Sequence, residues 1–289
     1  MKISYIVPCY NHSKYVQACL DSIKADMFCE SEIIIIDDGS KDNSADLVKQ
    51  WQLQNSDVAV FFSQQENRGI CYTLNKLHTL SSGDFIRTVA SDDLLIKGST
   101  EILVNALSKN CDSLVAVGDV ETIDQDGRVL SKSHIQFSKK ERHVYNSDLK
   151  RAIISEWAIA GPSFVSRRNF IDHIGKYDES ILIEDWNMFL RLAALEKLIF
   201  VDASVAKYRI HQTNTSRTKD VATRIRNLNS QYLGGAKCTD LFKGKYSYLL
   251  KSEIALIKAK IHFLEKNIFR VVLNTLKFQG YRVRFYLSN

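Results

Sequence analysis

Proline is nearly absent from this chain: there are 2 in 289 residues, alongside 12 glycines. That scarcity excludes a collagen-like or low-complexity protein and argues against a long disordered linker. No run approaches the roughly 20 consecutive apolar residues that a membrane-crossing helix needs. The opening segment, Met1-Lys2-Ile3-Ser4-Tyr5-Ile6-Val7-Pro8, turns polar at Tyr10-Asn11-His12, too soon for the apolar core of a secretory signal. A cytoplasmic protein that starts on its first strand is expected. The six cysteines, Cys9, Cys19, Cys29, Cys71, Cys111 and Cys238, contain no C-x-x-C pair and no zinc-finger spacing to histidine. Reduced and mostly buried thiols are therefore expected. With 45% hydrophobic residues, the chain can build one large domain, or one domain with a smaller appendage.

Acidic residues are scarce only at one end. The net charge of +6 conceals 15 Lys/Arg against 4 Asp/Glu from Arg217 to Asn289, so residues 1–216 are net negative. An acidic body with a basic tail argues against general nucleic-acid binding and for a localised contact with something anionic.

The first half alternates between two periodicities. Ile3–Pro8, Ile33–Ile36, Val58–Ser63 and Phe85–Ala90 read as strands. Lys14–Ala25, Ser44–Asn55, Ile70–Leu80 and Thr100–Ser108 carry apolar residues at helical spacing, with Ser44 as a cap. Four strand-then-helix units predict an α/β fold with a mostly parallel central sheet flanked by helices. Leu114–Val120 predicts a further strand, turned back at Asp126-Gly127 into Arg128-Val129-Leu130. A mobile loop over Lys139–Asn146, a helix over Glu184–Leu195 and a strand over Phe200–Val205 complete this part.

Ligands of a parallel α/β sheet bind where the carboxyl ends of its strands meet the loops. Strand one ends at Pro8-Cys9-Tyr10-Asn11, strand two at Asp37-Asp38-Gly39-Ser40 and strand four at Ser91-Asp92-Asp93; Glu66-Asn67-Arg68-Gly69 follows strand three. Either acidic pair alone is ordinary turn chemistry. Two acidic pairs at alternate strand ends, with Arg68 between, point to a cation or hydrogen-bonding ligand that offsets their repulsion.

With these segments and Glu184-Asp185-Trp186 in order and register over about residues 1–212, the chain resembles a family 2 glycosyltransferase of the GT-A fold. The resemblance implies that Pro8, Tyr10, Asn11 and Asp38 hold the donor base, with Tyr10 stacking, and that Arg68 lies against the nucleotide or its diphosphate. It implies Asp92 on the ribose and Asp93 on a divalent Mn²⁺ or Mg²⁺, with His211 reaching the metal or the diphosphate. Asp185 is implied as the general base of an inverting transfer, with Glu184 orienting it or touching the acceptor. The resemblance implies Trp157 and Ser163 as acceptor contacts, although a Trp in a core is the plainer explanation of Trp157. The implied donor is a UDP-sugar; the implied acceptor is a saccharide, lipid-linked, in bacterial surface polysaccharide synthesis such as O-antigen or capsule.

A catalytic domain over 1–216 is expected, with a nucleotide-binding half to about 110 and an acceptor-binding half beyond it. Residues 217–289 form a basic, helical C-terminal region. There Leu250, Ile254, Ile257, Ile261, Leu264, Ile268 and Val271 follow at alternating spacings of four and three, one helix with an apolar seam. Through 245–289 it suits an anionic membrane surface, placing the protein peripherally at the inner face of the plasma membrane, or a second copy in a homodimer. Competing enzyme classes fail on glycine: neither a sugar nucleotidyltransferase nor a dinucleotide-dependent dehydrogenase fits Pro8-Cys9-Tyr10-Asn11-His12. A non-catalytic nucleotide-sugar or membrane-binding module of the same fold is the alternative.

Overall fold

The computed structural model describes residues 1–212, 214 and 218–288. The expected domain boundary at 216/217 lies outside the described residues. The chain forms two compact units, each assembled from separated stretches: Met1–Lys140 with Ala158–Glu179 and Lys197–Ile210, and Glu141–Trp157 with Ser180–Glu196 and His211–Asn289.

The first unit holds every strand among the described residues. These are β1 (Lys2–Cys9), β2 (Glu30–Asp37), β3 (Ala59–Gln64), β4 (Phe85–Thr88), β5 (Leu94–Leu95), β6 (Val115–Ile123), β7 (Val129–Ser131), β8 (Phe164–Arg167) and β9 (Leu198–Arg209). They form one sheet in the order β3-β2-β1-β4-β8-β6-β9-β5, with β7 beside β6. β3, β2, β1 and β4 are parallel. Beyond β4 the sheet is mixed: β8 runs antiparallel to both β4 and β6, and β9 is parallel to β6.

Helices α1 (Val16–Asp26), α2 (Ser44–Gln54), α3 (Ile70–Leu80) and α4 (Ser99–Lys109) connect the early strands, with the short α5 (His134–Phe137) after β7. The Ile33–Ile36 run is buried throughout, as a strand covered on both faces must be. From α1, Val16, Cys19, Leu20 and Ile23 enter the same core, which is the helical spacing read from the sequence. Ser44 turns out to be the first helical residue rather than the cap; its N–H donates to Asp42 Oδ1 at 3.0 Å. The two-residue β5 had no sequence signal, being too short to show a period.

The second unit is helical: α6 (Arg142–Ser147), α7 (Leu149–Ser155), α9 (Asp185–Ala194), α10 (Val221–Ala236), α11 (Gly244–Leu264) and α12 (Ile268–Leu287), while the short α8 (Phe170–Ile174) belongs to the first. Lys139–Asn146 is not the expected loop. Val144 and Tyr145 are buried there, and the Tyr145 hydroxyl donates to the Glu156 carbonyl. α10 packs on α9 so closely that a Cβ at Gly235 would lie 2.8 Å from the Trp186 ring. The Trp186 indole N–H donates to the Ile153 carbonyl at 2.9 Å.

The single tail helix is also corrected. α11 ends at Leu264, Lys266 takes a left-handed φ of 59°, and α12 starts at Ile268. Arg282 pairs with Glu253 at 2.9 Å and Phe285 packs on Tyr246, so the two form an antiparallel hairpin. The apolar seam divides accordingly: Leu250, Ile257 and Ile261 are buried, whereas Ile268 is 67% exposed. No described helix is long and apolar enough to cross a membrane.

The cysteines are free thiols, with Cys9, Cys19, Cys71 and Cys238 buried. Burial pushes the Cys9 thiol up to about 12, so it stays protonated and unreactive.

Candidate active site

β1 and β2 deliver their last residues side by side, with Cys9 opposite Asp37 in register. The Asp38 N–H then donates to the Cys9 carbonyl at 2.8 Å. The Asp38 carboxylate faces the loop after β3: Oδ1 accepts from Gln65 Nε2 at 2.8 Å and the Arg68 N–H at 2.9 Å, and Oδ2 from the Gly69 N–H at 2.9 Å. One carboxylate therefore fixes the segment that carries Arg68. The Arg68 guanidinium rests 4.3 Å above the Tyr72 ring, one turn into α3, a cation–π contact that leaves its charge at the surface.

Asp37 shapes the turn. Its Oδ1 accepts from the Ser40 N–H at 3.0 Å, and between them Gly39 has a φ of 80°. A Cβ on Gly39 would come within 2.8 Å of the Asn67 backbone nitrogen. Gly39→Ala is accordingly expected to cost at least about 1–2 kcal/mol from backbone conformation alone, and to displace the Glu66–Gly69 loop. A denaturant midpoint equal to that of the unmodified protein would contradict this.

At the end of β1, Tyr10 is 45% exposed and Asn11 has a φ of 55°, a conformation asparagine tolerates. The Asn11 side chain accepts from the Lys41 N–H at 2.7 Å, and its own N–H donates to Ser40 Oγ at 2.8 Å. Pro8 is half-buried beside Ile36. Asp42 reinforces this edge. Burial acts to raise its pKa, but hydrogen bonds from Ser44 and Ser13 outweigh it and hold the carboxyl down to about 2.

Asp92 and Asp93 follow β4 and have different surroundings. Asp93 is buried, and its Oδ1 accepts from the Arg209 N–H of β9 at 2.7 Å. Burial first, and the neighbouring Asp92 charge second, raise its pKa well above the ordinary range. The Arg209 guanidinium donates to the Asp92 carbonyl at 2.8 Å and lies 4.8 Å over the Tyr15 ring. The Asp92 carboxylate lies 3.7 Å from Nε2 of His12, whose Nδ1 is 2.8 Å from Ser91 Oγ. Sequence reasoning passed over His12, although it follows Asn11 at the same strand end. An imidazole beside a self-repelling carboxylate pair is a donor set that suits a divalent cation.

The first unit thus brings Pro8, Tyr10, Asn11, Asp38, Arg68, Asp92 and Asp93 to the carboxyl ends of its parallel strands and the loops after them. Ser163 belongs to this unit too, ahead of β8; its hydroxyl is buried without a hydrogen-bond partner among the described residues.

The remaining candidates lie in the second unit. Glu184 precedes α9 and Asp185 is its first residue. Burial raises both carboxyls. The charge of Asp185 and their shared hydrogen bond raise Glu184 further, to well above the ordinary range. Such a pair retains a proton between its members at pH values where ordinary carboxylates are ionised. Trp157 is half-buried, its ring 5.4 Å from that of Phe189 on α9. His211 is buried, and its N–H donates to Asn214 Oδ1 at 2.5 Å.

A Rossmann-like half-sheet with acidic strand ends, continued by mixed strands, defines the class: a GT-A glycosyltransferase. Residues 4–175 match Glycosyl transferase family 2, and the chain belongs to that family. An uncharacterised glycosyltransferase of Rickettsia typhi is 27% identical over 265 residues, 90% of this chain and 76% of the relative. Two solved structures share the fold at 17% identity. S. aureus TarS (residues 1–349, with UDP-GlcNAc) has a TM-score of 0.62, covering 98% of this chain and 92% of that one. The Pyrobaculum calidifontis mannosyltransferase PcManGT (with GDP-Man and Mn²⁺) has a TM-score of 0.64, covering 97% and 75%.

Proposed function

We propose that this glycosyltransferase is an inverting enzyme that moves a sugar from a UDP-sugar to a hydroxyl of a saccharide acceptor, lipid-linked, in bacterial surface polysaccharide synthesis. The observation that carries the proposal is the gathering of Asp38, Asp92 and Asp93 with His12 at one edge of the sheet, inside the segment that matches the family. Residues 1–216 are the catalytic region in this proposal and 217–289 its helical C-terminal region. The exposed Tyr10 ring stacks on the base, Pro8 and Asn11 line it, and Asp38 accepts from a ring N–H through the lone pair left on Oδ2. Arg68 lies against the nucleotide or its diphosphate and Asp92 against the ribose. Asp93 and His211 are the proposed ligands of Mn²⁺ or Mg²⁺. The cation, when bound, offsets the charge of the departing nucleoside diphosphate.

Asp185 takes the proton of the acceptor hydroxyl as its oxygen bonds to the anomeric carbon; the bond from that carbon to the diphosphate breaks on the opposite face. Glu184 orients this carboxylate or contacts the acceptor. Trp157 and Ser163 are proposed acceptor contacts.

Calorimetry against a panel of nucleoside diphosphates, with and without Mn²⁺, tests the donor site. Metal-dependent binding of UDP in preference to the others is the expected result. Preference for another base would change the donor and keep the enzyme class. No binding to any would leave a membrane-binding module of the same fold as the better account.

A further inference from the structure

The outward face of α12 is apolar apart from Gln279. At 100° per residue, Ile268, Phe269, Val272, Leu276, Val283 and Leu287 fall within an arc of about 100°, and all six are exposed, Phe269 and Leu287 at 79%. The buried residues of this helix, Asn274 and Phe285, lie on the opposite side. The stripe is therefore not the packing face of a surface helix but its reverse, running the length of a helix about 30 Å long. Soluble monomers rarely expose so continuous an apolar surface.

Charge selects the occupant. Arg270, Lys277 and Arg284 recur every seven residues about 60–100° beyond one border of the stripe, with the exposed Leu273 between, and α12 contains no acidic residue. An antiparallel pairing with α12 of a second copy would set these cations against their own equivalents, with no carboxylate on the helix to compensate. An anionic lipid surface offers the reverse: headgroups for the cations and acyl chains for the stripe.

We propose that α12 lies in the plane of an anionic membrane surface, with its apolar stripe in the acyl boundary and Arg270, Lys277 and Arg284 among the headgroups. The contact is independent of the catalytic proposal, since it requires neither donor nor turnover. It also moves the interface away from the seam of α11, whose Leu249, Leu250, Ile257 and Ile261 are buried.

Flotation of the full chain with phosphatidylcholine vesicles, with and without phosphatidylglycerol, is the test. The protein should float with the anionic vesicles and remain behind with the neutral ones. Replacing Arg270, Lys277 and Arg284 together by Gln should weaken the partition on the order of a hundredfold, and Leu276→Glu should abolish it, both with an unchanged far-ultraviolet spectrum. Failure to float with either vesicle, or equal flotation with both, would overturn the proposal. So would a dimer in sedimentation that Leu276→Glu dissociates while flotation is absent, which would assign the stripe to a second copy.

Discussion

Asp185→Asn is expected to lower kcat by roughly 10²–10⁴ and to leave donor affinity unchanged, the scale of losing a general base. The amide keeps the size of the carboxylate and its place at the start of α9, but it cannot accept a proton at the pH of the assay. Folding is not expected to suffer, because the change removes one charge from a half-buried carboxyl pair whose ionisation the surrounding protein already opposes. Near-normal turnover would remove Asp185 from the chemistry. The same shift fixes the pH dependence. A base acts when ionised, and burial raises the pKa of Asp185. Activity should therefore fall as pH drops through a value above that of an ordinary aspartate. A rate profile whose acid limb lies at the ordinary aspartate position would detach it from this group.

Asp93→Asn is expected to weaken metal-dependent binding of the nucleotide by more than roughly 100-fold, beyond what losing an outer partner of a metal site costs. Alanine is the poorer probe. It would leave the buried Arg209 N–H, now 2.7 Å from Asp93 Oδ1, without an acceptor, and an unsatisfied buried donor costs about 1–3 kcal/mol. Asparagine can keep an oxygen there and removes only the charge. Titration with Mn²⁺ and UDP together separates the effects: a normal melting temperature with lost metal dependence identifies a ligand, and unchanged metal dependence removes Asp93 from that role.

The hairpin of α11 and α12 changes how the tail should be tested. Deletion of 245–289 would strip the second unit of Leu249, Leu250, Ala255 and Ile257, all buried. Loss of vesicle binding in such a truncation would then report unfolding as readily as a lost contact. Single exposed positions on α12, such as Leu276, avoid that ambiguity.

The sequence by itself determined the parallel half of the sheet, because period-two and period-3.6 patterns are local and each strand–helix unit carries its own. α3 was expected over Ile70–Leu80 and occurs there; the Asp-Gly turn between β6 and β7 was legible for the same reason. The acidic strand ends were also legible, since a parallel sheet places the end of each strand at one edge whatever the loops do. Only the tertiary structure decided how those residues are used. That Asp38 ties down the Arg68 loop, that Asp93 is anchored by a residue 116 positions away, and that His12 stands beside Asp92 are long-range contacts with no period. The tail shows the same limit. Its four-and-three spacing predicted one long helix because the pattern runs on past Leu264. The left-handed Lys266 and the antiparallel return of α12 depend on packing against α11. Which apolar face is buried, and which is left outward, was settled there.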